Sequence, residues 1–387
     1  DAYLATSDII GICPVVRLRR DLRKDAEWEL SRSICAAFAG EANSAKRELD
    51  KALSRGIAPR IDVLLAQRVA GAAGDGRGAV TIEWDGVNEL TPWRFALANA
   101  LGLEIPETLL SGAGTYYRQS AVLAPMLPLA QRAESADIAA SRGILSASAM
   151  VDLYSQIYAD GEVGGTAATN ASLLREAYVA SSLGDRLDAL RTLWGAEQAD
   201  YGRHVLTAYA AARIPPSGDA ADDAAALVAS MLSAGLDRNA LRWGKVVDEG
   251  SLAWAQLVLV QPRPNGTISA GALDGFIDAD DSDEQRKSRF FVASLAALGR
   301  ISGEELSDAT GRLSINLDRQ TRWTRLIDLA AQHRNQPLVA MLAGLGMQGS
   351  NWDKMTARHL YHIVSALNRV GLTAEARMIA AEAVARG

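Results

Sequence analysis

The C-terminal stretch, residues 355–387, constrains the fold more than any other part of the chain. Its apolar residues recur with a helical period, Gly371 interrupts them, and Thr373 offers a side-chain cap for a second helix that runs to Gly387. The pattern predicts a helix, a tight turn and a second helix packed against the first. A chain built from such hairpins folds as an all-α protein.

A similar unit lies between Gly40 and Gly56, which are as far apart in sequence as Gly371 and Gly387. The two units share residue types at equal distances after the first glycine: Ala45 and Ala376, Lys46 and Arg377, Ala52 and Ala383, Arg55 and Arg386. In each unit the two alanines lie one heptad apart, hence on one helix face, where small side chains let a neighbouring helix approach. Chance matching is the competing explanation, because alanine is abundant in this chain. We predict an α-solenoid, a TPR-like superhelix of antiparallel helical hairpins with minimal β structure.

The proline pair Pro215-Pro216 marks the predicted boundary between substructures, because the residue before a proline avoids the helical conformation. We therefore predict an N-terminal extension, residues 1–24, a first helical-repeat region, residues 25–214, and a second, residues 219–387. Only the stretch 79–84 shows appreciable β-like alternation in the first half. The extension ends in a basic cluster, for which a solvated surface and an anionic partner are the two interpretations: Arg17, Arg19, Arg20, Arg23 and Lys24.

Net charge and hydropathy limit the classes of partner. The formal net charge is −6 and the pI about 5.4, so the chain has no net positive field to attract nucleic acid or an anionic membrane. No apolar run approaches the roughly 20 residues that a membrane-spanning helix needs. We predict no nucleic-acid partner and no transmembrane segment. The first residue, Asp1, is not methionine, which favours either an exported mature protein, and thus the periplasm, or a trimmed chain.

The only cysteines are Cys13 and Cys35. Cys13 precedes a proline and Cys35 falls within a helical pattern, so a disulfide would tie the N-terminal segment to that helix. The expected export favours this bridge, and two small buried thiols are the alternative. Because no CxxC spacing is present, the sequence predicts neither a redox motif nor a thiolate metal site.

Four histidines are present: His204, His333, His359 and His362. The last two stand at positions i and i+3 of one predicted helix, close enough to share a metal. However, no third ligand lies at a known zinc-site spacing, and glutamate is absent from the two positions between them. We therefore expect packed or surface histidines and predict no metal site.

Two further stretches have compositions that are typical of ligand-binding loops. The acidic run 278–284 resembles a calcium loop in charge, but it lacks the glycine and glutamate of an EF-hand, and an acid-rich helix N-terminus explains it more simply. The glycine-rich stretch 71–79 lacks the Lys followed by Ser or Thr that a P-loop requires, which leaves a flexible loop. No cofactor is predicted.

Recognisable catalytic motifs are missing as well. The chain has no GxSxG elbow and no Cys, His and Asn framework. Five carboxylates are available for acid–base work, but each is more often a cap or a solvated charge: Asp85, Glu89, Glu107, Asp152 and Glu176. The eight tryptophans are spread along the chain, as expected of core anchors rather than of one aromatic cleft. We predict no catalytic residue and no enzymatic activity.

Three motifs carry a family resemblance: WELSRSICAAFAGE, IEWDGVNELTPWRFALANALGLEIPETLL and ALNRVGLTAEARMIAAEAVA. They resemble a group of uncharacterised alanine-rich exported proteins of Gram-negative bacteria, some of which carry an antifreeze-like name. The alanine-rich hairpins are also similar in architecture to the superhelical domain of soluble lytic transglycosylases, periplasmic enzymes that cut peptidoglycan. The catalytic domain of those enzymes has a Glu-Ser pair followed by a GLMQ-like segment. Here GLGMQGS, residues 344–350, only imitates that segment, and Glu134-Ser135 lies far upstream.

Taken together, these patterns predict a non-catalytic periplasmic helical-repeat scaffold whose concave surface binds a protein partner or an envelope polymer. The alternative is a cell-envelope enzyme related to peptidoglycan processing. A pocket with converging carboxylates of perturbed pKa would favour the enzyme, whereas a broad groove without them would favour the scaffold.

Overall fold

The computed structural model describes residues 3, 6–18, 25–73, 81–195, 201–262, 268–349 and 352–387, without the side chains of residues 115 and 116. Across these ranges the chain forms helices joined by turns, and no described residue belongs to a β-strand. The predicted all-α class is therefore confirmed. The β-like stretch 79–84 has no regular structure at its described positions, 81–84.

The chain divides into two compact units. Unit 1 comprises Asp1–Ala139, Gly143–Leu145 and Asp152–Thr169, and unit 2 comprises Ala140–Arg142, Ser146–Val151 and Asn170–Gly387.

The boundary predicted at Pro215-Pro216 differs from this division, because the prolines lie inside unit 2. Ile214 and Ala220, on either side of them, are buried in one hydrophobic core. Prolines interrupt helical hydrogen bonding without preventing the flanking apolar side chains from sharing a core. The proline pair is therefore a turn within unit 2.

Unit 1 is built from short helices: α1 Cys13–Leu18, α2 Ala26–Ala36, α3 Ala42–Arg55, α4 Arg60–Gly71, α5 Pro92–Ala100, α6 Glu107–Gly112 and α7 Thr115–Ala121. Three more helices contribute residues to both units: α8 Leu129–Ser141, α9 Ala147–Asp160 and α10 Gly165–Val179. A π-helical turn, Ala37–Glu41, joins α2 to α3, and its Gly40 has a φ of 91°. Helix α2 packs against α1, α3 and α4, and α4 also packs against α5.

The remaining helices belong to unit 2: α11 Leu183–Trp194, α12 Tyr201–Ala211, α13 Ala224–Ser233, α14 Asp237–Ala240, α15 Leu252–Val260, α16 Ala270–Ala279, α17 Arg286–Ala297, α18 Gly303–Arg312, α19 Arg322–Gln332, α20 Gln336–Gly346, α21 Ala357–Arg369 and α22 Thr373–Arg386. Short 3-10 helices occur at Gly218–Ala220, Leu241–Lys245 and Asp283–Gln285.

The last helix, α22, lies in the core of unit 2. It packs against α13, α15, α17 and α21, so most of its neighbours come from much earlier in the chain. Its Ala376 and Ala383 are fully buried, and the matching Ala45 and Ala52 of α3 are buried as well. These alanines therefore lie on packing faces, as predicted, and their small side chains permit the close approach of neighbouring helices.

Local signals set most helix boundaries. Thr91 caps α5, since its Oγ1 accepts a hydrogen bond from the backbone N–H of Arg94 at 3.2 Å. Gly371 has a φ of 90° and separates α21 from α22, as predicted. The cap predicted for Thr373 is wrong: α22 begins at Thr373, and Leu372 occupies the N-cap position without a side-chain hydrogen bond.

The tryptophans are core anchors, in agreement with the sequence-based interpretation. The indole N–H groups of two buried rings are satisfied, since Trp93 donates to Ser31 at 3.0 Å and Trp194 donates to Thr207 at 2.8 Å. Two more are buried: Trp28 and Trp243. The others are partly buried: Trp84, Trp254, Trp323 and Trp352.

The acidic run 278–284 caps a helix, as predicted. The Asp280 carboxylate accepts hydrogen bonds from the backbone N–H groups of Ser282, at 2.9 Å, and Ser288, at 2.7 Å, the latter in the first turn of α17. Burial alone would raise the pKa of Asp280, but the hydrogen bonds from Ser282 and Ser288 outweigh it and lower the pKa below its ordinary value.

We expect Asp280→Ala to destabilise unit 2 by about 1 kcal/mol at neutral pH, because α17 loses its cap. A folded-state pKa below the unfolded value stabilises the protein above the unfolded pKa, and this stabilisation is lost as the pH falls through the folded pKa. The difference in the free energy of unfolding between Asp280→Ala and the parent should therefore shrink below about pH 4. Urea midpoints at several pH values measure it, with the exposed neighbour Asp281→Ala as the control. An equal effect of the two substitutions would contradict the capping role.

Candidate functional site

The candidate site is an open groove in unit 2 between α19 and α21, with a volume of about 410 Å³. Helix α19 contributes one wall and α21 the other, and residues 317–320, which precede α19, close one side. The side chains that matter most for its chemistry are Arg325, Asp328 and Leu329 on α19, and Tyr361, His362 and Arg369 on α21.

Helical spacing explains why each wall is polar while its back is apolar. On α19, Arg325, Asp328 and Leu329 stand at i, i+3 and i+4 and share one face. The opposite face of α19 places Ile327 and Ala331 in the core of unit 2. Helix α21 repeats this division, because its groove residues alternate with side chains buried in the same core: Leu360, Ile363, Val364, Ala366 and Leu367.

At the floor of the groove, His362 forms a pair with Asp328. The imidazole is 4% exposed, and its Nδ1 lies 3.0 Å from the Asp328 carboxylate. A carboxylate only accepts, so Nδ1 carries a proton and donates it to Asp328. Nε2 is buried and has no hydrogen-bond partner among the residues that the structure describes. A buried polar nitrogen without a hydrogen-bond partner is costly.

Two guanidinium groups stand on opposite walls of the groove. Arg325 and Arg369 are both exposed, and neither forms an ion pair or a side-chain hydrogen bond within the described ranges. The Asp328 carboxylate, which lines the same groove, is engaged by His362 and by the Gln320 amide at 3.4 Å. Leu329 is 50% exposed. The groove therefore offers two unpaired cations beside an apolar side chain.

His359, the second histidine of the predicted pair, packs elsewhere. Its Nδ1 lies 2.8 Å from the Thr356 hydroxyl, and its ring contacts Trp323 at a centroid distance of 5.4 Å. Burial, and then the charges of Arg358 and His362, lower the pKa of His359 below its ordinary value. In the part of the chain that the structure covers, no three His, Cys, Asp or Glu side chains are arranged to hold a metal ion.

The other histidines are also packed or exposed. His204 is buried, with Nδ1 2.9 Å from the Ser230 hydroxyl, and Thr207 lies 3.2 Å from the same hydroxyl. A Ser–His contact is typical of nucleophilic catalysis. Ser230 is 0% exposed, however, so the contact belongs to a buried polar network rather than to an accessible site. His333 is exposed at the end of α19.

The carboxylates considered as candidate acids and bases do not converge. Asp85 lines a separate cavity of about 550 Å³ in unit 1. Glu107 pairs with Arg118 at 2.8 Å, and the backbone oxygen of Glu89 accepts from Arg94 at 2.6 Å. The remaining two lie in α9 and α10: Asp152 and Glu176.

A buried ion pair in unit 1 escaped the sequence analysis. Arg94 donates from Nε to Asp62 at 2.6 Å and from Nη2 to the other carboxylate oxygen at 3.1 Å. Both residues are buried, and the hydrogen bond that Arg94 donates to Asp62 raises the pKa of the Arg94 guanidinium above its ordinary value. Asp62 lies on α4 and Arg94 on α5, so the ion pair links these two helices.

Cys13 and Cys35 form a disulfide with an S–S distance of 2.02 Å, which links α1 to α2. Both sulfur-bearing side chains are buried against Val16 and Trp28. Arg17, the described member of the basic cluster, donates from Nη2 to the backbone oxygen of Cys35 at 3.3 Å. This bond holds α1 on α2 in parallel with the disulfide.

Some sequence features fall outside the described residues. These are the rest of the basic cluster, Arg19, Arg20, Arg23 and Lys24, the stretch 74–79 of the glycine-rich segment, and Ser350 of the GLGMQGS motif. The described part of that motif, 344–349, lies at the end of α20 in unit 2, whereas Glu134-Ser135 lies in the unit 1 part of α8.

Sequence reasoning found His362 but missed its partner Asp328 and the two arginines. The missed signal is the position of Asp328 next to Ile327 and Leu329 in an amphipathic helix, where a carboxylate at the edge of the apolar face needs a partner.

No protein-family model, curated protein or solved structure matches this chain. The two family resemblances of the sequence therefore stay predictions. Among the helices in the described ranges, none is both long enough and apolar enough to cross a membrane.

Proposed function

We propose that the chain is a non-catalytic helical scaffold that binds a protein partner or a cell-envelope polymer through the groove between α19 and α21. The observation that carries this proposal is the presence in one groove of two guanidinium groups, Arg325 and Arg369, that have no ion-pair partner among the described residues, beside the exposed side chain of Leu329. Groups left unsatisfied in a concave surface favour recognition, because a bound ligand can pair with them.

Binding rather than catalysis is supported by the way the Asp328 and His362 side chains are held. Asp328 orients the imidazole, as in a catalytic dyad, but no hydroxyl or thiol of the described residues hydrogen-bonds to His362. Most glycoside hydrolases use two carboxyl groups that flank the scissile bond. Here one carboxylate of the groove, Asp328, is already engaged by His362 and Gln320.

We further propose that antiparallel hairpins present the groove as part of a TPR-like superhelix, and that the protein works in the periplasm. The hairpin α19–α20 supports the first point, since the Trp323 ring at its start packs against Gly346 at its end. Helix α21 then packs against α19, α20 and α22. The Cys13–Cys35 disulfide supports the second point, because disulfides persist in oxidising compartments.

The test is affinity capture from the native envelope with the full chain and with a groove variant, Arg325→Gln/Leu329→Ala/Arg369→Gln. We expect the parent to retain envelope material and the variant to retain about tenfold less, because charge-assisted and apolar contacts are lost together. The matched control is Arg322→Gln/Leu345→Ala, which changes an exposed arginine of α19 and an exposed leucine of α20 outside the groove.

Two results would overturn the proposal. Equal capture by the parent and the groove variant would remove the groove from the function. Release of muropeptides from purified sacculi by the chain alone would establish catalysis and favour the peptidoglycan-processing enzyme.

A further inference from the structure

The two guanidinium groups of the groove favour an anionic ligand. Within the described ranges Arg325 and Arg369 have no ion-pair partner, although the Asp318 and Asp328 carboxylates line the same groove. The lone pairs of Asp328 are directed at His362 and Gln320. The planar guanidinium fork matches a carboxylate better than any other common group on a biological polymer except phosphate.

The apolar part of the groove narrows the class of ligand. Leu329 lies one helical turn after Arg325, lines the groove and is 50% exposed. A glycan covers such side chains with hydroxyl groups and gains little from them, whereas an apolar side chain of a peptide removes their surface from water.

We propose that the groove binds an acidic peptide segment of a partner protein, with carboxylates on Arg325 and Arg369 and a large apolar side chain on Leu329. This inference rests on the proposed binding function and chooses the protein partner over the envelope polymer. An anionic glycan is the other class of ligand, and the experiment distinguishes it.

The experiment selects a library of random peptides of about ten residues on the immobilised full chain, with counter-selection on the double variant Arg325→Gln/Arg369→Gln. We expect the enriched peptides to combine Asp or Glu with a large apolar residue. Their dissociation constant should rise about tenfold in each single arginine variant, several-fold in Leu329→Ala, and not in the control Arg322→Gln. Added salt should weaken binding to the parent and have less effect on the double variant.

Each contrary outcome has its own meaning. Enriched peptides without acidic residues, or with equal affinity for the double variant, would overturn the acidic-peptide proposal. Polygalacturonate that binds with the same dependence on both arginines, in the absence of peptide binding, would replace the peptide by an anionic glycan and leave the scaffold function intact. If neither the peptides nor polygalacturonate bind, and the groove variant does not reduce envelope capture, the scaffold function is overturned as well.

Discussion

Replacing Asp62 by Asn is expected to destabilise unit 1 by about 3–5 kcal/mol, because it leaves the Arg94 guanidinium buried without its counter-ion. The substitution nearly preserves the shape of the side chain, so the loss reports the charge and not a cavity. The pair is bidentate, with N–O distances of 2.6 and 3.1 Å, and a third guanidinium N–H is held by the Glu89 backbone oxygen. Arg94 therefore has little freedom to turn towards water.

A double variant separates the cost of an orphaned charge from the value of the pair. Asp62→Leu/Arg94→Met replaces both partners by apolar side chains and should recover most of the stability, since no buried charge remains. The control is Glu107→Gln, which breaks the exposed pair with Arg118 and should change stability by less than about 1 kcal/mol.

Hydrogen exchange measured by mass spectrometry suits this comparison, because a chain of two units does not guarantee two-state unfolding. Faster exchange in α4 and α5 of Asp62→Asn, with unit 2 peptides as the internal reference, is the expected result. If amide exchange in Asp62→Asn equals that in Glu107→Gln, the Arg94–Asp62 pair does not stabilise the packing of α4 on α5.

What the sequence could predict about the fold was local. The break at Gly371 and the packing face marked by Ala376 and Ala383 follow from the preferences of neighbouring residues, and the structure confirms both. The position of α22 against α13, α15 and α17 follows from packing between distant segments, which periodicity does not encode. The turn at Pro215-Pro216 shows the same limit, since proline predicts a break in a helix but not the end of a core.

The site shows the same division between local and distant information. The helix that carries His359 and His362 was evident, but Asp328 is 34 positions from His362, and Asp62 is 32 positions from Arg94. Many carboxylates are compatible with each basic partner, so no spacing rule selects one. Only the packing of α19 on α21, and of α4 on α5, brings these groups together.

Helix α21 contributes both to the hydrophobic core of unit 2 and to the candidate groove. Its apolar face packs on α17 and α22, while its polar face forms one wall of the groove. A core helix is held by its neighbours over its whole length, so the groove side chains of α21 start from a fixed backbone. Such preorganisation lowers the entropic cost of binding, which agrees with the binding function proposed for the groove.

Opening the disulfide between Cys13 and Cys35 is expected to destabilise the N-terminal part of unit 1 by about 2–4 kcal/mol. The bridge closes a loop with a sequence separation of 22, and its loss frees this segment in the unfolded chain. Two versions of the experiment are needed, because reduction keeps both sulfur atoms in the core whereas Cys13→Ala/Cys35→Ala removes them. If reduction and the alanine substitutions lower the stability equally, the lost stability came from the disulfide. If only the alanine variant loses stability, the lost stability came from the packing of the two sulfur atoms.

The destabilisation caused by reduction should be confined to the helices that the disulfide joins, which distinguishes it from a loss of stability throughout unit 1. After reduction, amide exchange should accelerate in α1 and at the start of α2, while the hydrogen bond from Arg17 to the Cys35 backbone oxygen retains part of the contact. Alkylation under non-reducing conditions provides the matching chemical test. Protein isolated from its native compartment should react at neither cysteine until a reductant is added. Two alkylated cysteines without reductant would remove the disulfide from the native protein, and with it the structural support for a periplasmic location.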